Sequence, residues 1–331
     1  MIIVTGGAGF IGSNLIHELN RIGENEIFCV DNLSTNSAKF LNLQNAIFSD
    51  YMDKAEFRRA IGSSALSAKR IRAILHQGAC SNTLEDNGAY MMDNNFTYSK
   101  ELLHYAVQYH IPFVYASTAA VYGLSKRFTP VPENERPLNI YGFSKLVFDN
   151  YVRRLLPTIE STVVGLRYFN VYGQREQHKG RMASVMHHFS QQLKENGVIR
   201  MFQGSGGYGD GEQRRDFVYV RDLCRMNLFF AGLGDDAFRS TMGRAQETYQ
   251  GVFNAGTGAS RSFNDVAKTL MQVHGKGKAK GKIEYIPFPN DLAGRYQHFT
   301  EADTTMLQQQ GGYTRPFTTL EDGIAETFAT A

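Results

Sequence analysis

The chain has 331 residues, of which 42% are hydrophobic, a net charge of +3 and three cysteines. That length builds a sizeable core in one large or two modest domains, the small net charge does not point to a nucleic-acid partner, and no apolar run reaches the roughly 18 residues of a membrane span. Cys29, Cys80 and Cys224 form no C-x-x-C pair, and the adjacent His187 and His188 would diverge on a helix. Neither a disulfide framework nor a metal site is therefore expected.

The chain opens in a strand, Ile2–Val4, with no basic-then-apolar leader before it, which reads as an uncleaved cytoplasmic protein. The strand runs into Thr5-Gly-Gly-Ala-Gly-Phe-Ile-Gly12, where Gly6, Gly9 and Gly12 stand three apart and a helical apolar pattern (Phe10, Ile11, Leu15, Ile16, Leu19) follows. Such glycines let the backbone approach a pyrophosphate, and the helix N-terminus offers free N–H groups at the favourable end of its dipole. A second strand, Ile27–Val30, ends in Asp31, about 20 residues on, where a carboxylate accepts bonds from an adenosine ribose. With Asn32 after it, this pattern predicts a bound dinucleotide; a merely tight turn needs neither three glycines nor the acid.

Further strands are predicted at Ala46–Phe48, Ala73–Leu75, Phe113–Tyr115 and Thr162–Leu166, with helices at Asp53–Ile61, Met91–Tyr109 and Ser144–Leu156. The alternation defines an α/β protein with a doubly wound parallel sheet, a Rossmann domain, whose ligand sits at the carboxyl ends of the strands. After about Asn170 the pattern loosens. Gln203–Gly211 reads as a flexible loop, Gly232–Gln250 as a polar surface insertion and Gly275–Gly281 as a solvated loop. Phe253–Gly258 reads as a strand ending in a turn, with a helix from about Ser262. The expected division is a dinucleotide domain over 1–170, to which later segments return, and a smaller mixed α/β substrate domain over 171–331.

Tyr141 and Lys145 stand four apart where a helix starts, so they share a face. A tyrosine titrates near 10, but a lysine ammonium one turn away and a cationic nicotinamide favour the phenolate. Such a tyrosine exchanges a proton with a sugar alcohol or ketone. An isolated Y-x-x-x-K is more often a surface pair. Here the strand Phe113-Val-Tyr-Ala-Ser-Thr118 precedes it and ends in two hydroxyls. Thr118 is expected to bond to the reacting oxygen. Ser117 lies beside it or caps the strand backbone.

Together, the glycine turn, the Asn94-Asn95 pair, Ser117-Thr118 and Tyr141-x-x-x-Lys145 resemble the extended short-chain dehydrogenase/reductase superfamily of nucleotide-sugar epimerases, dehydratases and reductases, over the whole chain. Met91-Met-Asp-Asn-Asn95, Arg167-Tyr-Phe-Asn-Val-Tyr-Gly173, His178-Lys179-Gly180, Ile283-Glu-Tyr-Ile-Pro-Phe-Pro289 and Gly294-Arg-Tyr-Gln297 are similar to its branch that epimerises an ADP-heptose at C6 for the lipopolysaccharide core. The resemblance implies NADP as cofactor, transient oxidation to a ketone and return of the same hydride to the opposite face. Tyr141 then serves one face and Lys179 the other. Read without the family, Lys179 is part of an exposed polar turn; the catalytic role requires it to be partly buried. A homo-oligomer, often a five-membered ring, is also implied.

On the same likeness, Lys39 and Lys54 stand near the adenosine end, where they offset the repulsion between Asp31 and a 2′-phosphate; Asp31 alone favours NAD. Gln77, Gly78, Ala79, Cys80 and Ser81 form a turn under the pyrophosphate, with Gln77 where an acid is usual, and Asn94 and Val171 also face the cofactor. The substrate positions are Thr118, Asn170, Arg181, His188, Phe202, Gln203, Gly204, Ser205, Arg215 and Tyr296. Arg215 suits a diphosphate, because a guanidinium grips two oxygens at once. The alternative for Arg214-Arg215-Asp216 is a charged turn with an ion pair. Arg181 replaces a small hydroxyl residue, and the insertion Gly206–Gln213 adjoins Arg215, so both bear on substrate geometry. A UDP-hexose 4-epimerase shares Tyr141, Lys145 and the glycine turn but does not need Lys179. A dehydratase needs an acid–base pair where this chain has Ala119 and Ala120. A non-catalytic dinucleotide-binding regulator would tend to lose the tyrosine.

Overall fold

Six strands, β1 (Ile2–Thr5), β2 (Ile27–Asp31), β3 (Asp50–Asp53), β4 (Ala73–His76), β5 (Phe113–Thr118) and β6 (Val163–Tyr168), join Gln250–Ala255 in one sheet. The order is Gln250–Ala255, β6, β5, β4, β1, β2, β3, and every pairing is parallel. The computed structural model describes residues 1–34, 36–63, 66–244, 246–275, 280–289 and 296–329. Gly294 and Arg295 of the Gly294–Gln297 motif, and residues 276–279 of the predicted solvated loop, lie outside the described residues.

Successive strand residues point to opposite faces, and the sheet is buried on both. Ile2, Val4, Leu75, Val114 and Val164 pack against Leu15 and Leu19 of helix Phe10–Arg21 and Leu223 and Phe230 of helix Val220–Phe230. Ile3, Phe28, Val30, Ile74 and Phe113 pack on the other side against Phe57, Leu102 and Phe148. Buried on both faces, the central strands read as continuous apolar runs. Glu18 ties the two helices of the first face together, accepting from Arg221 Nε at 3.1 Å and Arg225 Nε at 3.3 Å. Beyond the sheet, Asn170–Tyr172 pairs with Phe217–Tyr219, Arg214–Arg215 with Arg261–Ser262, and Val198–Phe202 with Lys282–Ile286.

Four predicted elements differ. The third strand is Asp50–Asp53, not Ala46–Phe48. The side chain of Asn20 takes both backbone groups of Ile47, with Oδ1 2.9 Å from its N–H and Nδ2 2.8 Å from its carbonyl, so Ile47 has none left for a ladder. The edge strand that forms instead is partly exposed and carries no apolar run. The helix predicted over Met91–Tyr109 is interrupted by a π-turn, Asp93–Thr97, between Gly88–Met92 and Tyr98–Gln108. Gly232–Gln250 is not all surface, because Leu233, Met242 and Tyr249 reach into the core.

The helix that carries Tyr141 begins at Ile140 rather than Ser144. Asn139 caps it, its Oδ1 accepting from Gly142 N–H at 2.8 Å, and this puts Tyr141 in the first turn and Lys145 one turn later. No helix among the described residues is long and apolar enough to cross a membrane.

Candidate active site

A cleft of about 780 Å³ opens where β1, β2, β4 and β5 end. Gly6 turns the chain with φ +65°, and a Cβ there would lie 2.8 Å from the Gly78 nitrogen. Gly9 is the N-cap of helix Phe10–Arg21 and brings no side chain to its first N–H groups, which leaves them for an anion. Gly12 does not line the cleft. A Cβ there would stand 2.1 Å from the Gly6 carbonyl oxygen, so its task is the close packing of helix on turn. Phe10 and Ile11 form part of the wall.

At the end of β2, Asp31 has both oxygens engaged: Oδ2 accepts from Ala8 N–H at 2.8 Å, and Oδ1 from Asn32 N–H and Lys39 Nζ, each at 2.6 Å. Lys39 also donates to the Asn32 carbonyl, and Lys54 Nζ reaches Asn94 Oδ1 at 2.6 Å. Burial, and the charge of Arg58 beside it, depress the Lys54 pKa. Both lysines line the cleft with Asp31, Asn32 and Asn94.

Gln77, Gly78, Ala79, Cys80 and Ser81 form the adjoining wall. Gln77 accepts from the Tyr168 hydroxyl and donates to Asn227 Oδ1, both at 3.0 Å, and Asn227 Nδ2 donates to Tyr168 at 2.8 Å. This closed ring is satisfied without charge, which accounts for an amide where the resemblance has an acid. Asn95, on the π-turn, fastens the loop by bonding both backbone groups of Cys80, at 2.8 and 2.9 Å, and it reaches Ser144 Oγ at 3.0 Å. π-turns of this kind are common at functional sites.

Thr118 accepts from Ala120 N–H at 3.1 Å, and its side chain favours the charged form of Tyr141. Ser117 lines the cleft beside them, but its hydroxyl donates to Asp149 Oδ2 at 2.8 Å. Lys145 Nζ donates to the Ala116 carbonyl at 2.8 Å, and burial lowers its pKa to about 8 against the opposing pull of Asp149 and Cys80. Burial raises the Tyr141 pKa while Thr118 acts the other way, and the Lys145 ammonium is turned to the Ala116 carbonyl. Lys179 is partly buried rather than an exposed turn residue. Its Nζ stands 4.9 Å from the centre of the Phe10 ring, and burial lowers its pKa while Glu176 opposes.

Asn170, Val171, Phe217 and Phe263 close the far end of the cleft. Arg215 lies just beyond it, 6% exposed, with its guanidinium 5.7 Å from the Phe263 ring and 4.8 Å from that of Tyr296. Among the described residues neither Arg214 nor Arg215 pairs with a carboxylate, so the ion-paired turn is not what forms. Asp216 is instead spent on Thr257, Gly258 and Ala302 N–H groups at 2.8–2.9 Å. Phe202 packs 6.5 Å from the Tyr296 ring. Gln203, Gly204 and Ser205 fold onto Asp210 and Gln213. The described cleft wall does not include Arg181, His188, Phe202, Gln203, Gly204, Ser205, Arg215 or Tyr296. Arg181 is exposed on the surface, and the His188 ring is 6.1 Å from that of His187. Asn36, Tyr90, Tyr98, His178, Met182 and Phe263 line the cleft without having been predicted. Only His178, beside Lys179, carried a local signal.

The fold and the cleft define a dinucleotide-dependent enzyme of sugar nucleotides, and the chain belongs to the NAD dependent epimerase/dehydratase family, whose model matches residues 2–239. It is 51% identical over 324 residues to the ADP-L-glycero-D-manno-heptose-6-epimerase of Alkalilimnicola ehrlichii, covering 98% of this chain and 95% of that one. Among solved structures it resembles the Helicobacter pylori ADP-L-glycero-D-manno-heptose-6-epimerase, with 29% identity, 98% and 94% of the two chains covered and a TM-score of 0.78. It also resembles a Thermotoga maritima UDP-glucose 4-epimerase, with 29% identity, 99% and 97% covered and a TM-score of 0.73.

Proposed function

We propose that this chain interconverts ADP-D-glycero-D-manno-heptose and ADP-L-glycero-D-manno-heptose at C6, with NADP as its cofactor, in the supply of lipopolysaccharide core heptose. The observation that carries this reading is that Tyr141 and Lys179, from separate segments, face one cleft. The likeness of the 51% identical relative supports the substrate. The cradle suits a dinucleotide, because the positive φ of Gly6, the uncapped helix start at Gly9 and the absence of a Cβ near Gly78 leave backbone N–H groups for a pyrophosphate. When bound, the nicotinamide supplies a reversible hydride acceptor.

The protein's own groups handle the proton. The ketone turns over in the site between the two hydride transfers, and in this reading two groups share the proton. Tyr141, whose charged form Thr118 favours, exchanges the proton of one epimer, and Lys179 that of the other. Arg215, buried and without a carboxylate, offers its guanidinium to the diphosphate.

NADP is favoured over NAD because both Asp31 oxygens are already engaged, one of them by Lys39. Lys39 and Lys54 supply positive charge for a 2′-phosphate. Lys39→Ala is expected to weaken NADP about tenfold, the worth of roughly 1.4 kcal/mol, and NAD far less. Titrating both cofactors into stripped protein measures the ratio, and an unchanged preference would count against this assignment.

The function is tested by NMR on the purified protein with ADP-D-glycero-D-manno-heptose and no added cofactor. Formation of the L-glycero epimer is expected. No conversion even with NADP supplied, together with turnover of a UDP-hexose, would replace the reading with that of a 4-epimerase.

A further inference from the structure

Lys179 sits on a short segment between Tyr172, the end of the strand Asn170–Tyr172, and the helix Val185–Asn196. Half of that segment is a 3₁₀ turn, Gln177–Met182, broken at Gly180 with φ +51°. Such a stretch has few ladder bonds of its own to hold a side chain in place. One buried group closes it at both ends. Glu176 is 1% exposed; its Oε1 accepts from Gly173 N–H at 3.0 Å and from Ser184 Oγ at 2.7 Å, and its Oε2 accepts from Ser184 N–H at 2.6 Å. Ser184 in turn caps the following helix, accepting from His187 N–H at 3.3 Å. Lys179 N–H bonds to the Glu176 carbonyl at 2.9 Å, so clasp and lysine share a turn.

We propose that Glu176 is a positioning residue of the epimerisation, its buried carboxylate clasping Gly173 to Ser184 so that Lys179 stands over Phe10 inside the cleft. This rests on the role given to Lys179 above. Nothing in the sequence patterning marked Glu176, since an acid next to a polar turn normally faces water.

The clasp also acts through charge. Glu176 on its own segment is the ionisable group that acts on the Lys179 pKa, and Lys179 in turn lowers those of His178 beside it and His187 on the next helix; helix Phe10–Arg21 presents the apolar face of Phe10. Glu176 is the anion among these, and it opposes the burial that lowers the lysine pKa. Burial raises the Glu176 pKa, and Lys179 and the three donors from Ser184 and Gly173 oppose that rise by favouring its charged form. Removing its charge while keeping its shape therefore lets Lys179 lose its proton at lower pH, and the limb of the rate profile that belongs to Lys179 moves the same way.

The test compares full-length wild type, Glu176→Gln and Glu176→Asp. Competitive acetylation across pH, read at Lys179 by mass spectrometry, reports the lysine's protonation without reference to turnover. Hydrogen exchange over residues 173–184 reports the clasp. In Glu176→Gln the labelling midpoint is expected to fall by about one pH unit, with faster exchange in the segment and a matching displacement of the kcat profile. Glu176→Asp keeps the charge but shortens the reach, so it should retain the midpoint while exchange quickens. A folded Glu176→Gln with wild-type midpoint and exchange overturns the proposal. If Glu176→Gln does not fold, wild-type exchange in Glu176→Asp overturns it instead. Wild-type turnover by Lys179→Met is a separate result: it removes the catalytic role of Lys179, whatever the labelling shows.

Discussion

Tyr141→Phe and Lys179→Met are each expected to cut turnover by about 10²–10⁴-fold, the range of a positioned acid or base, while leaving dinucleotide binding nearly unchanged. The first substitution removes one oxygen. The ring keeps its place in the opening turn of helix Ile140–Leu155, and Thr118 keeps its bond from Ala120 N–H. The second keeps an unbranched apolar stem over Phe10 and removes only the ammonium. Steady-state rates for each epimer, with cofactor retention measured alongside, make the check. Near-wild-type rates in both variants would sink the two-group mechanism. Loss in one alone would leave both proton transfers to a single group and remove the other from the mechanism.

Arg167→Met is expected to cost about 3–5 kcal/mol of stability, because it strands a charge in the core. Arg167 is fully buried between two carboxylates, with Nε 2.9 Å from Asp149 Oδ2 and Nη1 2.6 Å from Glu135 Oε1. Glu135 would keep its bond to Arg153 at 2.7 Å. Asp149 would keep only the hydroxyls of Tyr115 and Ser117, at 3.0 and 2.8 Å. Urea titration measures the loss. Adding Asp149→Asn removes the stranded charge and should recover part of it. If the single variant is as stable as wild type, the ion pair does no more than offset its own desolvation. Asp149 also bonds Ser117 at the end of β5 and opposes the burial that lowers the Lys145 pKa, so activity is expected to fall with stability.

The dinucleotide cradle was legible because its parts are local. Gly6, Gly9 and Gly12 lie within one turn of chain, and the acid closing β2 follows at a fixed distance. The pairing of Tyr141 with Lys145 was legible for the same reason, since helical spacing alone puts them on one face. The alternation of strands and helices likewise announced the parallel sheet. The resemblance to nucleotide-sugar epimerases added Lys179, which no periodicity would have chosen.

What the sequence did not show depends on partners far along the chain. Ser117 and Thr118 are neighbours with the same kind of side chain, yet Asp149 takes one hydroxyl while the other acts on Tyr141. The third strand moved because Asn20, on the first helix, occupies the backbone of Ile47. Lys145 bonds a carbonyl of β5, a partner that helical spacing alone does not name. The sequence left an ion-paired turn as the alternative for Arg215, and packing removes it by bonding Asp216 to Thr257, Gly258 and Ala302. Local spacing by itself determined the sheet, the glycine turn and the Tyr141–Lys145 face, because backbone geometry makes near neighbours in sequence near neighbours in space. Tertiary structure alone decided where each hydroxyl and charge points, because a buried polar group takes whichever partner packing brings within 3 Å or so.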